Sequence, residues 1–332
     1  MANVPLLVDF SQAFVLASPI ELFPIVQGSN SQTVGVHTGS GDFLWKRYQP
    51  VHSEASIRYE HRLLGWLAAC ELPFAVPTPL LNRDGDTLWA SDNGLHAIFP
   101  FIPGTPPDYA NPQQLENVGV ALAELQPVLA AYPTDSRPDM AGFYQLAQTH
   151  PAISNPHSLL PADLDLPDGE PFASLLVWWR EEVAAVQDFI DGPFQSLPQQ
   201  VIHGDFVPSN TLHTGDRLTG IVDFEFAGPD VRALDVASAL YFSLRVWKGD
   251  DPWPRGEALI RGYTGSTRLT DTERAALPWL MRLRNAVSKI FWLGKSLADG
   301  TTEKQVLSMG DLQGFNRWLE EKGERLDEVF PG

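Results

Sequence analysis

Three side chains suited to phosphate chemistry fall in one short stretch of this chain. His203-Gly204-Asp205-Phe206-Val207-Pro208-Ser209-Asn210 supplies a carboxylate and an amide with four residues between them. Gly220-Ile221-Val222-Asp223-Phe224-Glu225 supplies a second carboxylate after twelve more residues. Val201-Ile202 and Ile221-Val222 read as short buried strands, so a loop, a short hairpin and a strand end would gather Asp205, Asn210 and Asp223 at one spot. Hard oxygen ligands beside a hydroxyl nucleophile are what a divalent cation in group transfer requires. Taken singly, each residue has a plainer reading. A Gly-Asp pair in a loop is usually an Asx turn, and Asp223 could simply end a strand. The spacing of all three favours chemistry. His203 reads as structural support, packing or hydrogen-bonding inside the loop.

The remaining chain must position that stretch. With 332 residues and 44% hydrophobic content it can bury a large core and suggests two structural units. A formal charge of −18 argues against nucleic acid or an anionic membrane as partner, since both would be repelled. A neutral or cationic small substrate sits more easily with it. Cys70 is the only cysteine, which excludes an internal disulfide or a thiolate metal cluster. Met1-Ala2-Asn3-Val4-Pro5 shows no secretory leader, and no apolar run approaches the roughly twenty residues needed to span a bilayer, so a cytoplasmic protein is expected.

Strand signals fill the first hundred residues. Glu21–Val26, Thr33–His37 and Phe43–Tyr48 alternate with the turn stretches Gln27–Gln32 and Gly39–Asp42, and Thr87–Ala90 and His96–Phe99 follow. Ser53 reads as the N-cap of a helix running to about Leu72, on which Ser56, Glu60, Leu63, Leu64 and Leu67 share one face. A carboxylate on that apolar stripe needs a cation, and Lys46 on the preceding strand is the candidate. Pro100-Phe101-Ile102-Pro103-Gly104 reads as a stiff connector, dividing an N-terminal unit (residues 1–102) from a helical one (103–332). Helical periodicity then marks Gln113–Leu129, Phe172–Ile190, Val236–Trp247, Glu257–Tyr263 and Asp271 to about Leu297, with a long irregular insertion over 133–171.

The catalytic-loop stretch and the Ile221-Val222-Asp223 strand end, with Lys46, Glu60 and the connector in order before them, resemble the aminoglycoside phosphotransferase superfamily. These are small-molecule kinases that include choline, methylthioribose and type II homoserine kinases. The resemblance implies an α+β, bilobal protein-kinase-like fold, with an N-terminal antiparallel sheet plus one helix and a larger, mainly helical C-terminal lobe. It implies ATP and Mg²⁺ as cofactors. Asp205 would orient or deprotonate the attacking hydroxyl, while Asn210 and Asp223 would bind the metal. Lys46, held by Glu60, would complete the catalytic set on the α- and β-phosphates. Gly28, Ser29, Asn30 and Ser31 would cover the phosphates, Leu44 would pack on adenine, and Phe101 and Ile102 would offer backbone groups to its edge. Asp235 would brace the catalytic loop.

Two departures stand out. Gln126 occupies a position where many relatives carry a histidine, and Asp223-Phe224-Glu225 lacks the glycine common in protein kinases. Only residues 224–234 separate Asp223 from Asp235, too short a span for a peptide-supporting activation segment, which disfavours a protein kinase. The acceptor is expected to be a hydroxyl-bearing small molecule, best matched by a homoserine-like amino alcohol. Its carboxylate would need Arg282, Arg284 or Lys289. An aminoglycoside or choline acceptor, drawing on Asp250, Asp251, Trp247 and Trp253, stays open, as does a catalytically inactive nucleotide-binding scaffold.

Overall fold

The computed structural model describes residues 13–25, 31–49, 53–133, 141–245, 248–249 and 251–330. Two compact units emerge. The first comprises residues 1–106, 132–139 and 210–225; the second comprises 107–131, 140–209 and 226–332. The class is α+β, with an antiparallel five-stranded sheet early in the chain and helices dominating the rest.

In the first unit, β1 (Ile20–Phe23), β2 (Ser31–Thr38), β3 (Gly41–Tyr48), β4 (Trp89–Ser91) and β5 (Gly94–Pro100) form one sheet in the order β1-β2-β3-β5-β4. Strand alternation sets what faces where. On β3, Trp45 joins Phe14, Val36 and Ile98 in a core cluster. Lys46 therefore points to the opposite face, between Thr33 on β2 and Ala97 on β5 in register. Helix α1 (Glu54–Ala68) is opened by Ser53, whose side chain accepts from the Ser56 N–H at 3.2 Å. Its buried stripe of Ile57, Glu60, Leu63, Leu64 and Leu67 follows the helical period, and the helix stops four residues before the expected end.

A hairpin from much later in the chain completes this unit. Strands β7 (Thr211–Thr214) and β8 (Arg217–Ile221) turn through Gly215 and attach to Ala75 by paired backbone bonds. The Ala75 N–H donates to the Thr219 carbonyl and the Ile221 N–H to the Ala75 carbonyl, both at 3.0 Å. β6 (Gln199–Ile202) and β9 (Gly228–Val231) make a separate two-stranded ladder in the second unit.

The second unit is built on α2 (Pro112–Ala130), α3 (Phe172–Asp191), α4 (Ala233–Leu244), α5 (Trp253–Thr264) and α6 (Asp271–Asp299). Asn111 caps α2, and a reciprocal Thr270–Glu273 capping box opens α6. Three further helices, α7 (Thr302–Leu307), α8 (Met309–Lys322) and α9 (Glu324–Val329), follow where sequence periodicity had marked none. The irregular insertion contains short 3₁₀ turns at Leu146–Gln148, Pro156–Ser158 and Pro161–Leu164. No described helix is long and apolar enough to cross a membrane.

Candidate active site

In the first unit the charged groups gather around Lys46. Its Nζ lies 3.7 Å from Glu60 on α1 and 3.3 Å from Glu225, just beyond β8. All three side chains are nearly sealed from solvent, Glu225 at 2% exposure. Tyr48 Oη donates to Glu60 at 3.4 Å and also bonds His61 Nε2 at 2.9 Å; His61 Nδ1 meets Thr87 Oγ1 at 2.8 Å. Burial alone disfavours the Lys46 ammonium. The fields of Glu60, Tyr48, Glu225 and Asp223 outweigh that penalty and hold its pKa well above the lysine range. Glu60 is pushed up by burial, with Lys46 opposing the shift and Glu225 adding to it. Two carboxylates share one cation, so neither reaches the balance of a simple ion pair.

Asn210 ends a 3₁₀ turn over Pro208–Asn210, and its carbonyl accepts the Val222 N–H at 2.9 Å. That bond sets Asn210 beside the segment that carries Asp223. Asp223 itself has φ of 70°, in the left-handed region that a non-glycine residue rarely adopts. An amide and a carboxylate on neighbouring segments give hard oxygen donors, which suit a Mg²⁺-like cation that keeps water and phosphate oxygens as its other ligands. The donor set fits. Among the described residues no cluster of three or more His, Cys, Asp or Glu forms an all-protein metal cage.

The residues expected around a base are scattered in their roles. Leu44 is half-buried on the face of β3 that carries Lys46. Phe101 makes an edge contact with Phe23 at 5.7 Å, and its N–H already donates to the Asp42 carbonyl at 3.0 Å. That N–H is open to a ligand only if this bond breaks. Ile102 presses on Gly220, where a Cβ would lie 2.6 Å from its Cγ2. Ser31, expected in a turn, instead opens β2 with its backbone opposite Tyr48, because the tight β2–β3 hairpin carries pairing that far. Gly28, Ser29 and Asn30 lie outside the described residues.

In the second unit Asp205 follows a backbone kink. Gly204 has φ of 80°, and a Cβ there would sit 2.2 Å from the Phe226 carbonyl, so only glycine fits. Asp235, fully buried at the start of α4, accepts the His203 N–H at 2.8 Å and the Gly204 N–H at 3.0 Å. Burial raises the Asp235 carboxyl to about 7 against those two donors, with Asp205 and Asp230 adding to the shift. His203 is sealed and accepts the Asp205 N–H through Nδ1 at 3.3 Å. The loop is thus held by its backbone, leaving the Asp205 carboxylate to meet Arg284 Nη2 at 2.6 Å.

Of the cations considered for an acceptor carboxylate, only Arg284 meets Asp205 in this way. Arg282 is engaged by Glu182 through both Nε and Nη2, and Lys289 is buried against Gln305 and Ser308. Asp251 accepts the Trp253 N–H and pairs with Arg325, while the buried Trp253 packs at a tilt against Trp318, with ring centroids 5.5 Å apart; Trp247 and Asp250 lie outside the described residues. Gln126 acts as a brace, donating to the Arg232 carbonyl and accepting from Tyr263 Oη. Glu225 and the Asp205–Arg284 pairing escaped sequence reasoning. The signal for Glu225 was its place two residues beyond Asp223, with the buried Phe224 between them.

Residues 21–280 match the model of the phosphotransferase enzyme family, and the chain belongs to that family as a small-molecule kinase with a hydroxyl acceptor. It is 27% identical to a homoserine kinase of Rhodopseudomonas palustris (strain BisB5) over 283 residues, covering 83% of this chain and 79% of the relative. A homoserine kinase of Brucella anthropi is 27% identical over 326 residues, 95% of this chain and 93% of the other. Among solved structures, a microcompartment-associated aminopropanol kinase superposes with a TM-score of 0.73 at 17% identity, over 98% of this chain and 100% of that one. Amicoumacin kinase, solved with AMP-PNP and Ca²⁺, gives 0.67 at 14% identity over 94% of each chain. The fold is that of these kinases.

Proposed function

We propose that this protein moves the γ-phosphate of ATP, with Mg²⁺, to the hydroxyl of a homoserine-like amino alcohol in the cytoplasm. The observation that carries the phosphotransfer part is the sealed Lys46–Glu60–Glu225 cluster, which holds an ammonium charged at a sheet face. Lys46 contacts the α- and β-phosphates, and Glu60 fixes its direction. Leu44 packs against adenine, with backbone of Phe101 and Ile102 along its edge. Asn210 and Asp223 hold the metal, which when bound neutralises charge on the phosphate oxygens. Asp205, on a loop braced by Asp235 and His203, orients the hydroxyl and takes its proton as the new bond forms.

The acceptor class is supported by the homoserine kinases that align over most of both chains, and by likeness of fold to an aminopropanol kinase. A coupled ADP-release assay over L-homoserine, choline, sugars and aminoglycosides tests it, with product identified by ³¹P NMR. L-Homoserine is expected to give Mg²⁺-dependent turnover, and Asp205→Ala to lower it roughly 10³-fold with nucleotide still bound. Turnover confined to choline or an aminoglycoside overturns the acceptor. Nucleotide binding without turnover of any acceptor restores the scaffold reading.

A further inference from the structure

Among the arginines of the second unit that meet a carboxylate, Arg232, Arg282 and Arg284 do not do so alike. Arg232 engages Glu273 through Nε at 2.9 Å and Nη2 at 2.5 Å. Arg282 engages Glu182 through the same two nitrogens, at 2.9 and 2.5 Å. Nε–H and the neighbouring Nη2–H form one edge of the guanidinium, shaped for both oxygens of a carboxylate. Arg284 uses only half of that edge. Its Nη2 donates to Asp205 Oδ1 at 2.6 Å, while its Nε is buried and has no hydrogen-bond partner among the described residues. A buried N–H without a partner is costly, and its persistence calls for an occupant.

The charge around the pair points the same way. Arg284 and Arg245 both lie against the ring of Phe242, at 4.8 and 4.6 Å from its centroid. Among the described residues Arg245 is in no ion pair with a carboxylate. The two guanidiniums share the Phe242 ring, and Arg284 is the one that meets the Asp205 carboxylate. The side chains of Arg284 and Asp205 keep 12% and 23% of their surface open, so the pair can be reached.

We infer that Arg284 is the specificity residue for the acceptor: its Nε/Nη2 edge takes the acceptor's carboxylate in two hydrogen bonds and in doing so releases Asp205 to the acceptor's hydroxyl. This rests on the amino-alcohol reading above and narrows it to hydroxy amino acids. The transfer is otherwise as proposed. A bond forms from the acceptor oxygen to the γ-phosphorus, the bridging P–O bond breaks with its electron pair on ADP, and the hydroxyl proton passes to Asp205. An acceptor without a carboxylate leaves Arg284 on Asp205 and the base tied up. A cationic acceptor meets the Arg284 guanidinium.

The test compares L-homoserine with 3-aminopropan-1-ol, which is the same molecule without its carboxylate. In the wild type, kcat/KM for homoserine is expected to exceed that for 3-aminopropan-1-ol roughly 100-fold, as loss of a bidentate charged contact implies. Arg284→Gln is expected to erase most of that ratio, chiefly by raising the KM for homoserine, and Arg284→Lys, which keeps the charge without the fork, to restore only part of it. Nucleotide binding and thermal melting establish that the variants are folded. Comparable wild-type efficiency on both acceptors overturns the inference while leaving the kinase reading intact, and this arm needs no variant. So does an equal fall of kcat on both acceptors in Arg284→Gln, which marks a residue that only positions Asp205. Absence of turnover on either acceptor removes the amino-alcohol reading and this inference together.

Discussion

The two charged clusters of this protein carry opposite signs at their centres, an ammonium in one and a carboxylate in the other. Around Lys46 one ammonium faces Glu60 and Glu225 in contact, with Asp223 in its field. Around Asp205 one carboxylate faces Arg284, with Arg245 against the same Phe242 ring and the buried Asp235 in its field. The first cluster is sealed and short of positive charge; the second is partly open, and its arginine holds a buried N–H without a partner among the described residues. A buried imbalance costs stability, so it marks places where a ligand supplies the missing sign. On the roles proposed above, the difference teaches that the Lys46 cluster awaits a cation and the Asp205 cluster an anion.

Removing the cation from the sealed cluster gives the largest effect. Lys46→Met leaves Glu60 and Glu225 facing each other in the interior, and unfolding in urea is expected to show a loss of about 3–5 kcal/mol. Adding Glu225→Gln to that variant is expected to recover part of the loss without restoring turnover. A Lys46→Met protein as stable as the parent would mean that the carboxylates are not truly confined. A smaller effect separates chemistry from conformation at Asp223. Glycine accepts its φ of 70° freely, so Asp223→Gly is expected to keep stability, or raise it by less than about 1 kcal/mol, while weakening metal-dependent nucleotide binding at least tenfold. Calorimetric titration with and without Mg²⁺ checks it, and unchanged affinity in both would remove Asp223 from the metal.

The most gradual effect, and the smallest at any pH near neutrality, is a pH dependence at the sealed cluster's border. His61 is bonded at both ring nitrogens, and burial first, then the charges of Lys46 and Arg58, push its pKa down to about 3. Its folded pKa lies below the unfolded value, so the unfolded chain binds the extra proton below about 6.5. Stability is therefore complete above that pH and falls as pH drops toward 3, by at most about 1.4 kcal/mol per unit from this residue. His61→Gln is expected to flatten the acid limb of a urea-midpoint profile. His96, lowered to about 4 by burial and then Arg47, leaves a shallower slope behind. An acid limb of the same steepness in His61→Gln would show that His61 exchanges no proton on unfolding.

Much of this was readable where the signal is local. The helical face that buried Glu60 named its need for a cation, and the strand period placed Lys46 on the face away from Trp45. The strand-end apolar runs at Val201-Ile202 and Ile221-Val222 became β6 and β8, and the five strands and principal helices arose where their patterns stood. What was not readable depends on distance or weak pattern. Glu225 reaches Lys46 across 179 residues, and no periodicity links them. Arg284 was one of three basic residues on a helix face, and nothing in their spacing tells that Arg282 is claimed by Glu182 while Lys289 turns to Gln305 and Ser308. The closing helix α8 buries only Met309, Phe315, Asn316 and Leu319, too sparse a stripe to announce itself. Strand β1 stops at Phe23 because Pro24 cannot continue the ladder.

The late hairpin has a consequence for the order in which the protein is made. Residues 1–106 can pair their five strands as they leave the ribosome, but both polar groups of the Ala75 backbone wait for Thr219 and Ile221. Glu225, which shares Lys46 with Glu60, arrives later still. The N-terminal segment therefore spends the synthesis of more than a hundred residues with its charged cluster one carboxylate short, and is completed only when the 203–210 loop has already emerged.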